Sequence, residues 1–149
     1  MPNKREPSDI LLVEDNANDV AITLHAFKSA NLANRVHVAR DGVEALEFLF
    51  GDGCDGQPAL PMPRLILLDL NMPRLDGHEL LTRIKGDPRT CKIPVVVLTS
   101  SSEEEDVMRT YKTGANSYII KPVDFEQFTD AVRDIGNYWL VINHAGAPT

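Results

Sequence analysis

Five short apolar segments alternate with amphipathic segments along the chain, and this alternation constrains the fold more than any other feature. The apolar segments span residues 9–13, 35–39, 64–68, 93–99 and 117–122. The third and fourth are apolar over almost their whole length, as strands are when helices cover both faces of a sheet. Strands that alternate with helices form parallel sheets with crossover helices. The pattern therefore predicts an α/β fold with a doubly wound, five-stranded parallel sheet.

Helical periodicity and capping residues place a helix after each strand. The predicted helices cover about residues 18–29, 42–50 and 77–86, a fourth that begins with a capping box of Ser102 and Glu105, and a last one over about 125–142. The segment 51–63 contains three prolines and is predicted to be a loop. The length of 149 residues predicts one domain over 8–142, with flexible termini at 1–7 and 143–149.

Composition excludes several classes of function. The net charge of −7 and pI near 5.0 argue against a nucleic-acid surface, which needs a basic face. No apolar run approaches the ~20 residues that span a bilayer, and the N-terminus lacks a signal-peptide pattern, so a cytoplasmic protein without membrane contact is expected. Cys54 and Cys91 are expected to be free thiols, and the four histidines lack the spacing of a zinc site.

Polar residues follow four of the predicted strands at the point where each strand ends. Glu14, Asp15 and Asn16 follow the first, Asp69 the third, Thr99 ends the fourth, and Lys121 follows the fifth. Right-handed crossovers bring these strand ends to one edge of the sheet, where open α/β sheets bind ligands.

Three carboxylates at one edge repel each other unless a cation lies between them. Mg²⁺ suits this set because it takes one or two carboxylates and keeps several waters. Simpler interpretations are that Asp15 or Asn16 only caps the first helix, and that Lys121 is an ordinary surface residue.

Together these residue types favour phosphoryl transfer to a carboxylate. Asp69 would be the nucleophile and form an acyl phosphate. Lys121 would neutralise charge on the transferred group, and the Thr99 hydroxyl would hydrogen-bond one of its oxygens. Catalysis of this kind consists mostly of positioning and electrostatics.

Five motifs resemble, in order and spacing, the receiver domains of two-component response regulators. They are Glu14-Asp15, the segment from Asp69 to Pro73, Asp76-Gly77, Thr99-Ser100 and Lys121-Pro122. The resemblance covers about residues 8–140. It implies a flavodoxin-like (βα)5 fold with strand order 2-1-3-4-5, and a signalling protein that accepts a phosphoryl group from a histidine kinase rather than an enzyme with a separate substrate.

The resemblance also implies a role for each site residue. Asp69 would be the phosphoacceptor, Asp15 a direct Mg²⁺ ligand and Glu14 an outer-sphere one, with the backbone carbonyl of Asn71 completing the metal shell. Lys121 would be the phosphate-binding lysine.

A second set of implied roles concerns the conformational switch. Thr99 would move toward the phosphoryl group and Tyr118 would turn inward. That movement would remodel the surface of the fourth helix, fifth strand and fifth helix.

The last predicted helix carries an apolar stripe at heptad-like spacing. Its central residues are expected to cover the sheet, whereas the end of the helix, with Tyr138, Trp139 and Ile142, is predicted to form a homodimer interface. The chain resembles single-domain regulators, and most closely the small regulators of phytochrome-type histidine kinases. No output domain is expected after this helix.

Three other functions fit less well. A haloacid-dehalogenase-type phosphatase needs a second acid where this chain has Asn71. A flavin carrier needs a phosphate-binding loop where Glu14 and Asp15 would repel phosphate. A degenerate receiver that acts only as an interaction module is opposed by the presence of every chemical residue.

Overall fold

The computed structural model describes residues 9–29, 35–51, 62–70, 76–100, 104–122 and 124–142. Within them the strands form one parallel sheet in the order β2-β1-β3-β4-β5, which confirms the predicted fold class and strand order. The strands are β1 (Ile10–Val13), β2 (Val36–Ala39), β3 (Leu65–Leu68), β4 (Val95–Thr99) and β5 (Ser117–Ile120). The α-helices are α1 (Ala17–Ser29), α2 (Gly42–Phe50), α3 (Gly77–Gly86), α4 (Glu104–Thr113) and α5 (Phe125–Gly136).

The strands alternate their side chains between two apolar cores, as a sheet covered on both faces requires. Leu11 and Val13 of β1 face the core formed with α2 and α3. Ile10 and Leu12 face the core formed with α1 and α5. Every residue of β1, β3 and β4 is buried, so the continuous apolar runs of the sequence are explained by burial on both faces.

The register of the sheet aligns the ends of the strands. Val13 pairs with Leu68, and Leu68 pairs with Val97 on its other side. Thr99 of β4 pairs with Ile120 of β5. The residues that follow β1, β3 and β5 therefore emerge at the same edge.

Side-chain caps fix where three helices begin. The Asp41 carboxylate accepts the Glu44 N–H at 2.9 Å, and the Asp76 carboxylate accepts the His78 N–H at 3.0 Å. Asp124 accepts the N–H groups of the second and third residues of α5 at 2.7 and 3.1 Å. These caps satisfy backbone donors that a helix cannot pair internally.

The end of the chain differs from the predicted single helix over 125–142. The α-helix ends at Gly136, and Asn137–Ile142 continue as a π-helix, which has a wider turn. The sequence could not show this change because Tyr138 to Ile142 are all apolar. Helical periodicity is recognised from the alternation of apolar and polar residues, so a segment without a polar face does not show how many residues make one turn.

Other sequence-based expectations fall outside the described residues. They include the predicted flexible termini, most of the loop 51–63, and Ser102 of the predicted capping box. Among the described residues every peptide bond is trans, including the one between Lys121 and Pro122. In the same residues, no helix combines the length and apolar character needed to cross a membrane.

Gly77 is required by close packing at the start of α3. A Cβ atom there would lie 2.6 Å from the Leu70 Cα and 2.9 Å from the Asp69 carbonyl oxygen. We expect Gly77→Ala to lower the free energy of unfolding by about 1–3 kcal/mol, because backbone atoms must shift to make room. Chemical denaturation measures this change.

Gly86 provides the matched control in the same helix. A Cβ atom there would meet nothing within 4 Å. Gly86→Ala should therefore leave stability unchanged or raise it by up to about 1 kcal/mol. Equal losses of stability in the two variants would contradict the packing argument.

Candidate functional site

Three carboxylates converge at the edge of the sheet where the strands end. Glu14 and Asp15 follow β1 directly, and Asp69 follows β3 directly. One carboxylate oxygen from each lies within 4.8 Å of the other two. Glu14 and Asp69 are buried, whereas Asp15 is exposed. The set offers hard oxygen donors from both sides of one small volume, with one side open to solvent.

Backbone hydrogen bonds hold these residues beyond the last paired residues of the strands. The Glu14 N–H donates to the Ala39 carbonyl at 2.9 Å, and the Asp69 N–H donates to the Val13 carbonyl at 3.1 Å. The Lys121 N–H donates to the Thr99 carbonyl at 2.7 Å. These bonds continue the inter-strand hydrogen bonding of the sheet, so the backbone at the site is as rigid as the sheet.

The Lys121 ammonium lies among three carboxylates. Its Nζ atom is 2.6 Å from Glu14 Oε1, 2.7 Å from Asp19 Oδ2 and 3.3 Å from Asp69 Oδ2. The Lys121 side chain is 9% exposed. A largely buried lysine side chain with three carboxylate acceptors can use all three of its N–H donors. Lys121 is therefore the counter-charge that allows these acids to lie together.

Burial and neighbouring charges shift the pKa values of Glu14 and Lys121. Burial raises the pKa of Glu14 to about 7, with a further contribution from the Asp69 charge, while Lys121 opposes the change. Burial by itself would lower the pKa of Lys121, but its hydrogen bonds to Asp19 and Glu14 and the Asp69 charge raise it above its ordinary value. The cluster therefore favours a charged Lys121, while burial favours the protonated form of Glu14.

The cluster opens to solvent through a cleft of about 870 Å³. The cleft is lined by residues 14–19, Asp69, Ser100 and Lys121. A group of phosphoryl size can thus reach the Asp69 carboxylate from solvent.

The structure brings together most of the residues singled out from the sequence. Glu14, Asp15, Asp69 and Lys121 line the cleft, and Thr99 is fully buried at the end of β4 with its carbonyl bonded to Lys121. Asn71 lies outside the described residues.

Tyr118 is not among the residues that line the cleft. Its half-buried ring packs against the core formed with α2 and α3, and its N–H donates to the Tyr111 hydroxyl of α4 at 3.1 Å. This link between β5 and α4 was not predicted from the sequence.

The helix-cap alternative holds for Asn16 but not for Asp15. The Asn16 side chain accepts the Asp19 N–H at 3.0 Å, and the Asn16 N–H donates to Glu14 Oε2 at 3.2 Å. Asp15 instead contributes to the three-carboxylate group.

Asp19 is the site residue that sequence reasoning missed. It lies in the first turn of α1 and not at a strand end. Its position in the first turn of α1 was the available signal, because this helix follows β1 directly and begins at the same edge of the sheet.

Most of the chain matches one protein family. The family model described as the response regulator receiver domain matches residues 10–133. The chain belongs to this family. Receiver domains accept phosphoryl groups from histidine kinases and bind a divalent metal at an acidic pocket, and they act in signalling rather than as general catalysts.

Two relatives match the chain over at least 90% of its length. It is 41% identical over 143 residues to a probable methanogenesis regulatory protein, FilR2, of Methanothrix harundinacea, covering 96% of this chain and 90% of the relative. It is 39% identical over 134 residues to the response regulator Rcp1 of Synechocystis, covering 90% of each.

Solved structures of proteins with similar sequences confirm the fold. The Mn²⁺-bound form of Rcp1 aligns with a TM-score of 0.86 at 38% identity, covering 95% of this chain and 100% of the other. The phosphorylated cyanobacterial phytochrome response regulator RcpA aligns with a TM-score of 0.84 at 36% identity over the same shares. The phosphatase and flavin-carrier alternatives are not favoured by these matches.

The raised pKa of Glu14 predicts a pH dependence of stability in the metal-free protein. Its pKa is about 7 in the folded state against an ordinary 4.5. The folded state therefore binds more protons in this interval, and the contribution of Glu14 to stability must fall as pH rises through it. We expect the free energy of unfolding of the wild type to decrease relative to Glu14→Gln between these two pH values.

Denaturant titrations of both proteins with a chelator present measure this difference. The Gln variant stays neutral at every pH, so it removes the titration while keeping the shape of the side chain. A difference between the two proteins that stays constant with pH would contradict the raised pKa.

Proposed function

We propose that this protein accepts a phosphoryl group on Asp69 from the phosphohistidine of a sensor histidine kinase. The observation that carries the proposal is the convergence of Glu14, Asp15 and Lys121 on the Asp69 carboxylate at one edge of the sheet. A buried carboxylate with donors for a cation on one side and an ammonium on the other is equipped to receive a dianionic group.

The metal we propose is Mg²⁺. Asp15 would be a direct ligand, Glu14 an outer-sphere ligand through water, and Asp69 and the Asn71 carbonyl further donors. The three carboxylates fit because they offer only hard oxygens and leave one side open for water. The Mn²⁺-bound form of the relative Rcp1 supports a divalent metal in this family. The bound metal would neutralise charge on the transferred group.

The transfer starts from side chains that already line the cleft. An Asp69 carboxylate oxygen attacks the phosphorus, a P–O bond forms, and the P–N bond to the kinase histidine breaks with its electron pair returning to the imidazole. Lys121 already lies 3.3 Å from Asp69 Oδ2 and would bond an oxygen of the incoming group. Most of the rate enhancement then comes from position and charge.

The switch we propose links the site to α4. The phosphoryl group adds about −1.5 to −2 charge and three acceptor oxygens. The Thr99 hydroxyl would move toward it, and Tyr118 would turn further inward. Because the Tyr118 N–H is bonded to Tyr111 of α4, movement at β5 is transmitted to the surface of α4, β5 and α5.

The relatives favour a phytochrome-type kinase as the partner. RcpA is a phytochrome response regulator, and it is 36% identical to this chain. We expect the protein to act in the cytoplasm, where ATP-dependent kinases supply phosphoryl groups, as the receiver domain over residues 8–142.

Phosphorylation of Asp69 is testable with acetyl phosphate and Mg²⁺. We expect one acid-stable, base-labile phosphoryl group on the intact protein, and none on Asp69→Asn or when a chelator removes the metal. Intact-protein mass spectrometry measures the gain in mass.

Asp134→Asn is the matched control, because it removes one exposed carboxylate from α5 and should be phosphorylated like the wild type. An unmodified wild type would mean that this chain is a degenerate receiver and would refute the proposal.

The last part of the proposal is a homodimer through the end of the C-terminal helix, with Tyr138, Trp139 and Ile142 at the interface. Tyr138 is 50% exposed. The centroids of the Tyr138 and Trp139 rings lie 5.0 Å apart in a T-shaped arrangement. Trp139 is itself half-buried against the core formed with α1 and α5. An exposed aromatic supported from behind in this way suits an interface.

We expect the wild type to be a dimer at micromolar concentration and Tyr138→Arg to be a monomer, since a charge would be buried in the interface. Light scattering before and after phosphorylation measures this. Leu24→Arg, at an exposed apolar position of α1, should remain a dimer. A wild type that is monomeric in both states would exclude the interface.

A further inference from the structure

Asp19 makes one of the two shortest contacts of the site lysine. Its Oδ2 atom lies 2.7 Å from Lys121 Nζ, against 3.3 Å for Asp69 Oδ2. Among the described residues, the carboxylates grouped closely enough to share a metal are Glu14, Asp15 and Asp69, and Asp19 is not one of them. Asp19 therefore acts on the lysine and not as part of that acidic group.

The start of α1 holds Asp19 in place. The Asp19 N–H donates to Asn16 Oδ1 at 3.0 Å, and the Asp19 carbonyl accepts the Thr23 hydroxyl at 2.8 Å. An acidic side chain in the first helical turn is also favoured by the helix dipole. The carboxylate is thus presented to Lys121 from a fixed backbone.

The resting arrangement engages every N–H donor of the ammonium. Glu14, Asp19 and Asp69 each accept one at 2.6, 2.7 and 3.3 Å. A phosphoryl group on Asp69 brings three strong acceptor oxygens. Lys121 can give it a second hydrogen bond only by releasing one of the other two carboxylates.

Exposure decides which carboxylate is released. The side chain of Asp19 is 21% exposed, whereas that of Glu14 is 5% exposed. Water can solvate the released charge of Asp19, but a released Glu14 would remain buried, which is costly. Asp19 is therefore the partner that Lys121 can leave at the lower free-energy cost.

We propose that Asp19 is a positioning residue that holds Lys121 in the resting state and competes with the phosphoryl group for its ammonium. This inference rests on the proposed phosphorylation of Asp69. It makes Asp19 a determinant of how tightly the pocket holds a phosphoryl group, acting through the lysine and not by contact with the group itself.

The proposal predicts two effects of opposite sign for Asp19→Asn. Removing a negative charge beside the acidic group should weaken Mg²⁺ binding. Removing the competitor of the phosphoryl group should strengthen binding of the phosphoryl mimic beryllofluoride at saturating Mg²⁺. Each change should be about threefold to tenfold, the scale of a partly exposed charge pair. A residue needed only to support the fold would weaken both.

Isothermal titration calorimetry on the full chain measures both affinities. Magnesium chloride is titrated first, and beryllium is then titrated in excess fluoride at fixed, saturating Mg²⁺. Asp19→Glu keeps the charge and should resemble the wild type. Asp134→Asn removes one exposed charge near the end of α5 and should also resemble the wild type. Asp19→Ser repeats the neutral substitution with a different side chain.

The two neutral variants decide the inference. Weaker Mg²⁺ binding with tighter mimic binding in both supports it. Weaker binding of both ligands, or no change in either, overturns it while leaving phosphorylation of Asp69 intact. A wild type that neither binds the mimic nor gains mass with acetyl phosphate removes the proposed function and this inference together.

Discussion

The ion cluster around the Lys121 ammonium is the interaction on which the site depends. Glu14, Asp19 and Asp69 come from two strand ends and a helix, and one buried ammonium joins them. Without a cation these acids would repel one another, and the buried carboxylates of Glu14 and Asp69 would lack a counter-charge. Because the lysine already offsets part of their negative charge, the acids can lie together before any metal or phosphoryl group arrives, and ligands then change the partners of an ammonium that is already in place.

Burial of the apolar sheet offsets the free-energy cost of holding these charges together. The two cores on its faces bury β1, β3 and β4 completely, and burial of apolar surface is the dominant stabilising effect in folding. The strands also carry the backbone of the site, because Glu14 and Asp69 continue the hydrogen-bonded ladder beyond the last paired residues. The geometry of the site is therefore as rigid as the sheet, and Gly77 keeps α3 in contact with the Asp69 backbone.

The sequence predicted the fold and most of the site for physical reasons that are local. Runs such as 65–68 are apolar because both faces are covered, and parallel crossovers then determine where Asp69 must lie. Asp19 was missed because strand-end reasoning does not consider side chains on a helix. The π-helical end was missed because its residues are uniformly apolar. The link between Tyr111 and the Tyr118 N–H depends on how α4 packs, which no local pattern records.

By itself the sequence determined the class of fold, the family and the candidate residues for the chemistry, because each depends on residue type and order. Only the tertiary structure decided which acids share Lys121 and how exposed each one is. Those properties depend on distances of tenths of an ångström and on burial, which arise when elements far apart in the chain pack together. They also separate Glu14, which is fixed by burial, from Asp19, which water can solvate once the lysine leaves it.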